Sequence, residues 1–360
     1  MKELLKKYML LQGPSGYESK IAYELMSDLN QYSEHSEIDN IGNVIARING
    51  NGENKKKIMI LAHMDQIGFI VKNIDENGYL KLERLGGVPE KVLPGLEISI
   101  RNINDEYMAG VIGIKSHHAT TPDEKYQVSK IDSIYVDIGA DSAHEVRAKG
   151  IEIGCPAVYA PKYIEFEGNK VCGTSLDNRG GCACLVEIAR HLSARKQPLD
   201  VFLVGTVWEE FNLRGAIIAA RKIKPDIIIC LDITLCGDTP DLKNIFNTKL
   251  GGGPVISMYS FHGRGTLNGM IAHEGLSKLA ISLCDEENLK AQYFAAAGLL
   301  TDASYLQLEN EGAAVLDLSF PVRYTHSPIE ICDVSDLESL SKLVCRMVES
   351  LDDRFDVKRF

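Results

Sequence analysis

The sequence predicts an α/β fold organised on a largely parallel sheet and interrupted by a small all-β insertion. Three observations carry that expectation. Four apolar runs, ending at Ala62, Val207, Leu231 and Ser319, lack the alternation of half-solvated strands and read as strands buried on both faces. After Val171 such runs alternate with helical patterns, as expected when crossover helices connect parallel strands. Between residues 72 and 163 the texture changes to short β-runs broken by Gly and Pro turns.

Taken in order, residues 1–11 form a short helix ended by Gln12-Gly-Pro-Ser-Gly16. Ser15 and Glu18 have capping-box spacing for a second helix, Ile21 to Leu29. Val44 to Ile48 reads as a strand. A turn from Lys55 feeds a buried strand through Ala62, which stops at His63-Met64-Asp65. Within the insertion the β-runs are Tyr79–Leu82, Leu96–Ile100, Met108–Ile114 and Ser133–Ile138, with one helical piece near Ala143 to Lys149. Gly173 to Gly181 is a polar turn opening a helix through about Leu192. The Val201–Val207 strand follows, then a helix from Arg214 to Lys222 and the Asp226–Leu231 strand, ending at Asp232. Gly251–Gly253 precede a helix from about Gly269 to Cys284. After Ala313–Ser319, Ser335 and Glu338 cap a last helix with a Leu337, Leu340, Val344, Met347 stripe. The expected organisation is a discontinuous larger domain, residues 1–71 and 164–360, around an insertion at 72–163.

Composition narrows the function. A net charge of −11 disfavours nucleic acid or an anionic membrane as partner. No apolar stretch approaches the roughly 18 residues of a membrane span, and the Met1-Lys-Glu-Leu-Leu-Lys start reads as an amphipathic helix without a signal peptide. The nine scattered cysteines read as reduced core thiols, which points to the cytoplasm. Cys182 and Cys184 lie two apart in a helical pattern and so face apart. His117 and His118 sit in a polar loop, Lys115 to Gln127, and read as solvated.

In parallel α/β sheets, ligand groups gather at the carboxyl ends of the strands. Those ends carry His63, the pair Glu209–Glu210 and Asp232, with His326 in the loop after the fourth strand and Asp177 at a helix mouth. Mixed imidazole and carboxylate donors suit zinc, cobalt or manganese. Five candidates (His63, Asp177, Glu210, Asp232 and His326) exceed one tetrahedral catalytic zinc and suit two ions about 3.5–4 Å apart. Asp177, set in a turn, is placed to sit between them. The other acid of the Glu209–Glu210 pair is free to act as general base, and Asp65 to orient His63.

These residues carry a resemblance. Ala62-His-Met-Asp-Gln-Ile-Gly-Phe69, Ser175-Leu-Asp-Asn-Arg-Gly-Gly181, Val204-Gly-Thr-Val-Trp-Glu-Glu210, Leu213-Arg-Gly-Ala216, Leu231-Asp-Ile-Thr234, Thr301-Asp-Ala303 and Arg323-Tyr-Thr-His-Ser-Pro328 resemble, in order, motifs of the tetrahedral-aminopeptidase family. These are dinuclear zinc aminopeptidases of glutamyl and deblocking type, some of whose relatives are labelled endoglucanases. The resemblance implies a zinc-exopeptidase-like catalytic domain in which His63 and Asp232 hold one zinc, Glu210 and His326 the other, Asp177 bridges and Glu209 is the base. It also implies that the insertion is a dimerisation domain and that dimers build hollow dodecamers; the short β-runs of the insertion are themselves expected to mediate self-association and to supply no ligand to their own site. The chain departs from the family at Gln66 (usually Glu), Asn178 (usually Asp), Trp208 (usually smaller) and Phe211-Asn212 (usually Val-Gly). Hydrolysis of N-terminal residues from short peptides is the leading expectation. A glycan hydrolase using Glu209 and Glu210, and a catalytically weak metal-binding assembly protein, are the alternatives.

Overall fold

The computed structural model describes residues 1–52, 56–262 and 267–360. A nine-stranded sheet organises the larger part of the chain. Its strands run His35–Ile38, Val44–Ile48, Asp200–Thr206, Lys57–His63, Ile227–Leu235, Ala314–Val322, Val255–His262 and Asn268–Ile271, with Gln292–Ala297 added beside Val255–His262. The four central strands, Asp200–Thr206 to Ala314–Val322, are mutually parallel. Flanking strands pair with them antiparallel. The parallel centre is where the apolar runs lie: every residue of Ala314–Val322 is buried, as are Ile58 to His63. The start of the expected turn, Lys55, lies outside the described residues.

Helix Leu176–Ser193 packs against the Lys57–His63 and Ile227–Leu235 strands and against the last helix, Val334–Ser350. Cys182 and Cys184 are both buried and face apart: Cys182 Sγ donates to the His63 carbonyl at 3.3 Å and Cys184 Sγ to the Leu337 carbonyl at 3.6 Å. Helix Gly215–Ile223 packs on the Asp200–Thr206 strand.

The all-β part closes into a barrel of Gly68–Ile74, Leu80–Leu85, Val136–Asp137, Tyr107–Ile112, Glu97–Arg101 and Pro156–Tyr159. It has its own core, with Phe69, Val71, Leu80, Ile98, Ile100 and Val136 buried together. The first barrel strand begins at Gly68, ahead of residue 72. Its helix, Ala143–Ala148, starts where Ser142 accepts the Glu145 N–H. His117 and His118 are exposed, in a single short turn.

Several local expectations are corrected. Ser15 does not cap the second helix, Ser19–Leu29: its hydroxyl donates to Asp65 Oδ2 at 2.6 Å, and Glu18 occupies the N-cap. The last helix is capped by Asp333, which accepts the Ser335 N–H, so the Ser335–Glu338 spacing falls inside the helix. The stretch after Gly253 enters a strand, and Gly269 lies in the short edge strand Asn268–Ile271; the helix begins only at Glu274. Antiparallel pairing with Val255–His262 buries Met270 and overrides the helical pattern there. The strand expected to end at Asp232 continues to Leu235.

Candidate metal centre

Strand register assembles the site. Thr206 lies directly opposite His63 in the parallel pair, so the Val207–Glu210 turn leaves the sheet beside the imidazole. Asp232 comes from the adjacent strand, and its carboxylate accepts its neighbour's Ile233 N–H at 2.7 Å. Asp177 sits at the irregular start of helix Leu176–Ser193, and the Asp177–Asn178 peptide is cis. Asn178 fixes that turn: Nδ2 donates to the Leu231 carbonyl at 2.8 Å, and Oδ1 accepts the Gly181 N–H at 3.0 Å. His326 follows the Ala314–Val322 strand in a left-handed conformation, φ +64°.

The side chains converge in two groups. His63, Glu209 and Asp232 form one, and Asp177, Glu210 and His326 the other, with donor atoms of each group within 4.8 Å of one another. Asp177 joins the groups. Its Oδ1 lies 3.1 Å from His63 Nε2, and its Oδ2 lies 3.5 Å from His326 Nε2. Glu210 Oε1 is 3.2 Å from His326 Nε2, while Glu209 and Asp232 each approach His63 Nε2 at 3.8 Å. Two imidazoles and four carboxylates in this arrangement are a donor set that fits divalent metal. They open on a cavity of about 340 Å³ lined also by Ile233, Leu235, Leu299 and Leu300.

The whole-chain comparisons decide the identity. The family described as M42 glutamyl aminopeptidase matches residues 42–343. The chain belongs to that family. It is a metallo-aminopeptidase. The lysyl aminopeptidase of Pyrococcus furiosus is 34% identical to this M42 chain over 355 residues, 97% of each. Aminopeptidase APDkam598 from Desulfurococcus kamchatkensis superposes with a TM-score of 0.91 at 32% identity, over 97% of this chain and 94% of its own. The Pyrococcus horikoshii TET1 peptidase, which assembles into a tetrahedron or a large octahedral shell, superposes with a TM-score of 0.85 at 28% identity, covering 97% and 99%.

Asp65 is tied to the M42 site differently from the expectation. His63 Nδ1 lies 3.1 Å from the Asp65 backbone carbonyl and 3.6 Å from its carboxylate. The carboxylate instead accepts the N–H groups of Glu209 and Glu210, each at 3.0 Å, and the Ser15 hydroxyl. It therefore positions the acidic pair as much as the imidazole.

Electrostatics follow from burial. Burial lifts the Glu209 pKa well above the carboxylate range, with Asp232 and Glu210 adding to it and His63 opposing. Asp232 is raised well above its usual value by burial too, again against His63. Burial disfavours the charged form of His63, yet Glu209, Asp177, Asp65 and Asp232 hold its pKa well above the usual value. Asp177 goes the other way: His326 and His63 outweigh its burial and hold it below.

Three contributors escaped the sequence reading. Glu330 is buried and accepts N–H groups from Asp177 (3.2 Å) and His326 (2.7 Å), with burial and then Asp177 lifting its pKa to about 8. Thr325 donates its hydroxyl to Asp177 Oδ2 at 3.1 Å. Gly87, from the barrel region, meets His326 through its carbonyl. Thr325 and Glu330 lie at or just beyond the Arg323–Pro328 motif, a local signal; Gly87 had none.

Proposed function

We propose that this chain removes N-terminal residues from short peptides using two divalent ions, with zinc the best match to its donors and cobalt or manganese also suited. In this reading His63 and Asp232 hold one ion, Glu210 and His326 the other, and Asp177 serves both. The Asp177 carboxylate carries the reading, because its two oxygens face the two imidazoles separately. Bound ions would polarise the scissile carbonyl and acidify water. Glu209 is the proton acceptor: it takes a proton from the attacking water and returns it to the leaving amine. A free N-terminal amine would give its lone pair to an ion held here, and acetylation removes both its charge and its lone pair.

Glycan hydrolysis is the weaker reading. Glu209 and Glu210 belong to different donor groups, whereas glycosidase carboxyls flank one bond. The test is mass spectrometry of a peptide and its acetylated twin, alongside elemental analysis of the metal-loaded enzyme. Stepwise loss of single residues from the free peptide only, with two ions per chain, is expected. Internal cleavage of the acetylated twin overturns the aminopeptidase reading, and full metal without turnover favours an assembly protein.

Self-association through residues 72–163 belongs to the same proposal. The TET1 relative forms closed shells, and the barrel region leaves Val111, Ile114, Tyr126 and Val128 exposed. Dimers are the expected unit and a dodecamer the expected shell; a monomer by light scattering at micromolar concentration refutes this. The nine free, buried cysteines support a reducing compartment such as the cytoplasm. Among the described residues no helix is long and apolar enough to cross a membrane.

A further inference from the structure

We propose that Glu18 is a positioning residue for Glu209, an inference that rests on the reading of Glu209 as proton acceptor. The acidic pair lies just past the end of its strand, where the sheet no longer supplies acceptors for backbone N–H groups. Side chains from distant segments take over. Val207 N–H donates to Asn43 Oδ1 at 3.0 Å, Trp208 N–H to Glu18 Oε1 at 3.2 Å, and the N–H groups of Glu209 and Glu210 to the two oxygens of Asp65 at 3.0 Å each. Four consecutive donors are thus held by three side chains.

Glu18 holds the residue that most needs holding. Trp208 adopts a left-handed conformation, φ +60°, which is strained for a non-glycine residue. The next residue is Glu209, whose carboxylate lies 3.8 Å from His63 Nε2. Glu18 is itself anchored: it is 5% exposed, occupies the N-cap of helix Ser19–Leu29, and the same Oε1 accepts the Gly16 N–H at 2.9 Å. One oxygen therefore ties the Gly16 turn and the helix start to the residue preceding Glu209. Glu18 is not among the residues lining the reaction cavity, so it acts through the Trp208 backbone. Asn43 braces the other side of the turn, its Nδ2 donating to Asp39 and to the Gly215 carbonyl.

The experiment compares wild type, Glu18→Ala, Glu18→Gln, Glu209→Gln and the Glu18→Ala/Glu209→Gln double variant, all metal-loaded, on leucine p-nitroanilide. Misplacement of the base on the ångström scale costs about 10²-fold, so Glu18→Ala should lower kcat by about 10–100-fold with KM within about twofold and metal content unchanged. Glu18→Gln keeps the acceptor oxygen and should recover kcat to within a few-fold. In the Glu209→Gln background Glu18→Ala should cost nothing further, because residues acting as one unit are not additive. Equal losses from Glu18→Ala in both backgrounds, or wild-type kcat for Glu18→Ala while Glu209→Gln is impaired, overturn the proposal. Wild-type kcat in Glu209→Gln overturns instead the assignment of the base, and the proposal with it. If Glu18→Ala does not fold, Glu18→Met, which keeps the volume and lacks the acceptor, takes its place with the same expectations.

Discussion

His326 donates its Nδ1–H to the carbonyl oxygen of Gly87 at 2.9 Å, across 239 residues of sequence. With Nδ1 so engaged, the neutral ring presents its Nε2 lone pair to the side of Asp177 and Glu210, the face a metal would take. Gly87 follows barrel strand Leu80–Leu85. The β-rich region therefore supplies no candidate ligand but does fix the orientation of one. Tyr159, on another barrel strand, adds its hydroxyl to the His326 carbonyl at 3.4 Å.

Gly87→Ala tests that coupling. A Cβ at Gly87 would lie 2.7 Å from His326 Nδ1, closer than packing allows, so the ring must shift. Loss of such an outer support typically costs 10–100-fold in metal affinity. Metal titration of the variant should show one weakened site and one near wild type, with activity following the weakened one.

Asp317, a buried carboxyl outside the proposed ligand set whose charge bears on Asp232, gives the molecule a pH-dependent stability. Burial lifts its pKa from 3.8 to about 7, opposed by the Thr301 hydroxyl, which donates to Oδ2 at 2.9 Å. The folded state holds this proton more tightly than the unfolded chain. Its contribution is therefore complete below pH 3.8 and is lost as pH rises through about 7. Asp317→Asn stays neutral and keeps an acceptor for Thr301. Denaturant unfolding should show that the variant gains stability relative to wild type on going from pH 5 to pH 8, by up to roughly 2.5 kcal/mol.

Gln66 and Arg179 invite a stabilising change. Arg179 is fully buried, donates Nη2 to Gln66 Oε1 at 3.0 Å, and has no partner for Nε or Nη1 among the described residues. A buried guanidinium without a paired carboxylate is costly. Gln66→Glu places a charge at the same atom and restores the residue usual in the resembled family. A charge-assisted bond of about 1.5–3 kcal/mol should raise the melting temperature by several degrees in a calorimetric scan. An unchanged or lower value shows that the added charge is repelled by nearby Asp65 and Glu18.

What was legible in the sequence is what local pattern encodes. Fully buried parallel strands read as unbroken apolar runs, so Lys57–His63, Asp200–Thr206, Ile227–Leu235 and Ala314–Val322 were visible, as were the polar residues near their carboxyl ends. Their convergence follows from parallel register, which brings such ends to one edge. The strand Asn268–Ile271 was illegible because four residues at a sheet edge carry too little periodicity to outweigh a helical neighbourhood. The caps failed for a related reason: Ser15 is drawn away by Asp65, a contact 50 residues distant. Gly87 and Glu18 act through backbone atoms and distant side chains, and no spacing in the sequence encodes that.

The last prediction concerns which N-terminal residue is preferred. The cavity beside the two donor groups offers Ile233, Leu235, Leu299 and Leu300 as its apolar lining, together with Thr234 and His262. No lysine or arginine lines it among the described residues, so an acidic side chain would lose its hydration without an ion pair. The carboxylates present are those proposed for metal and proton transfer, so a lysine side chain would have no carboxylate left to pair with. An aliphatic side chain is different: it trades water for the leucine wall, at about 25 cal/mol per Å² of apolar surface buried. We therefore expect leucine and methionine p-nitroanilides to be cleaved with a kcat/KM at least about tenfold above the glutamate and lysine reporters, a difference of about 1.4 kcal/mol. Leu300→Ala should lower kcat/KM for leucine through KM more than through kcat, because it removes binding surface without touching the proton acceptor. A panel led by glutamate would mean that the wall does not contact the first side chain, and Leu300→Ala would then leave leucine turnover unchanged.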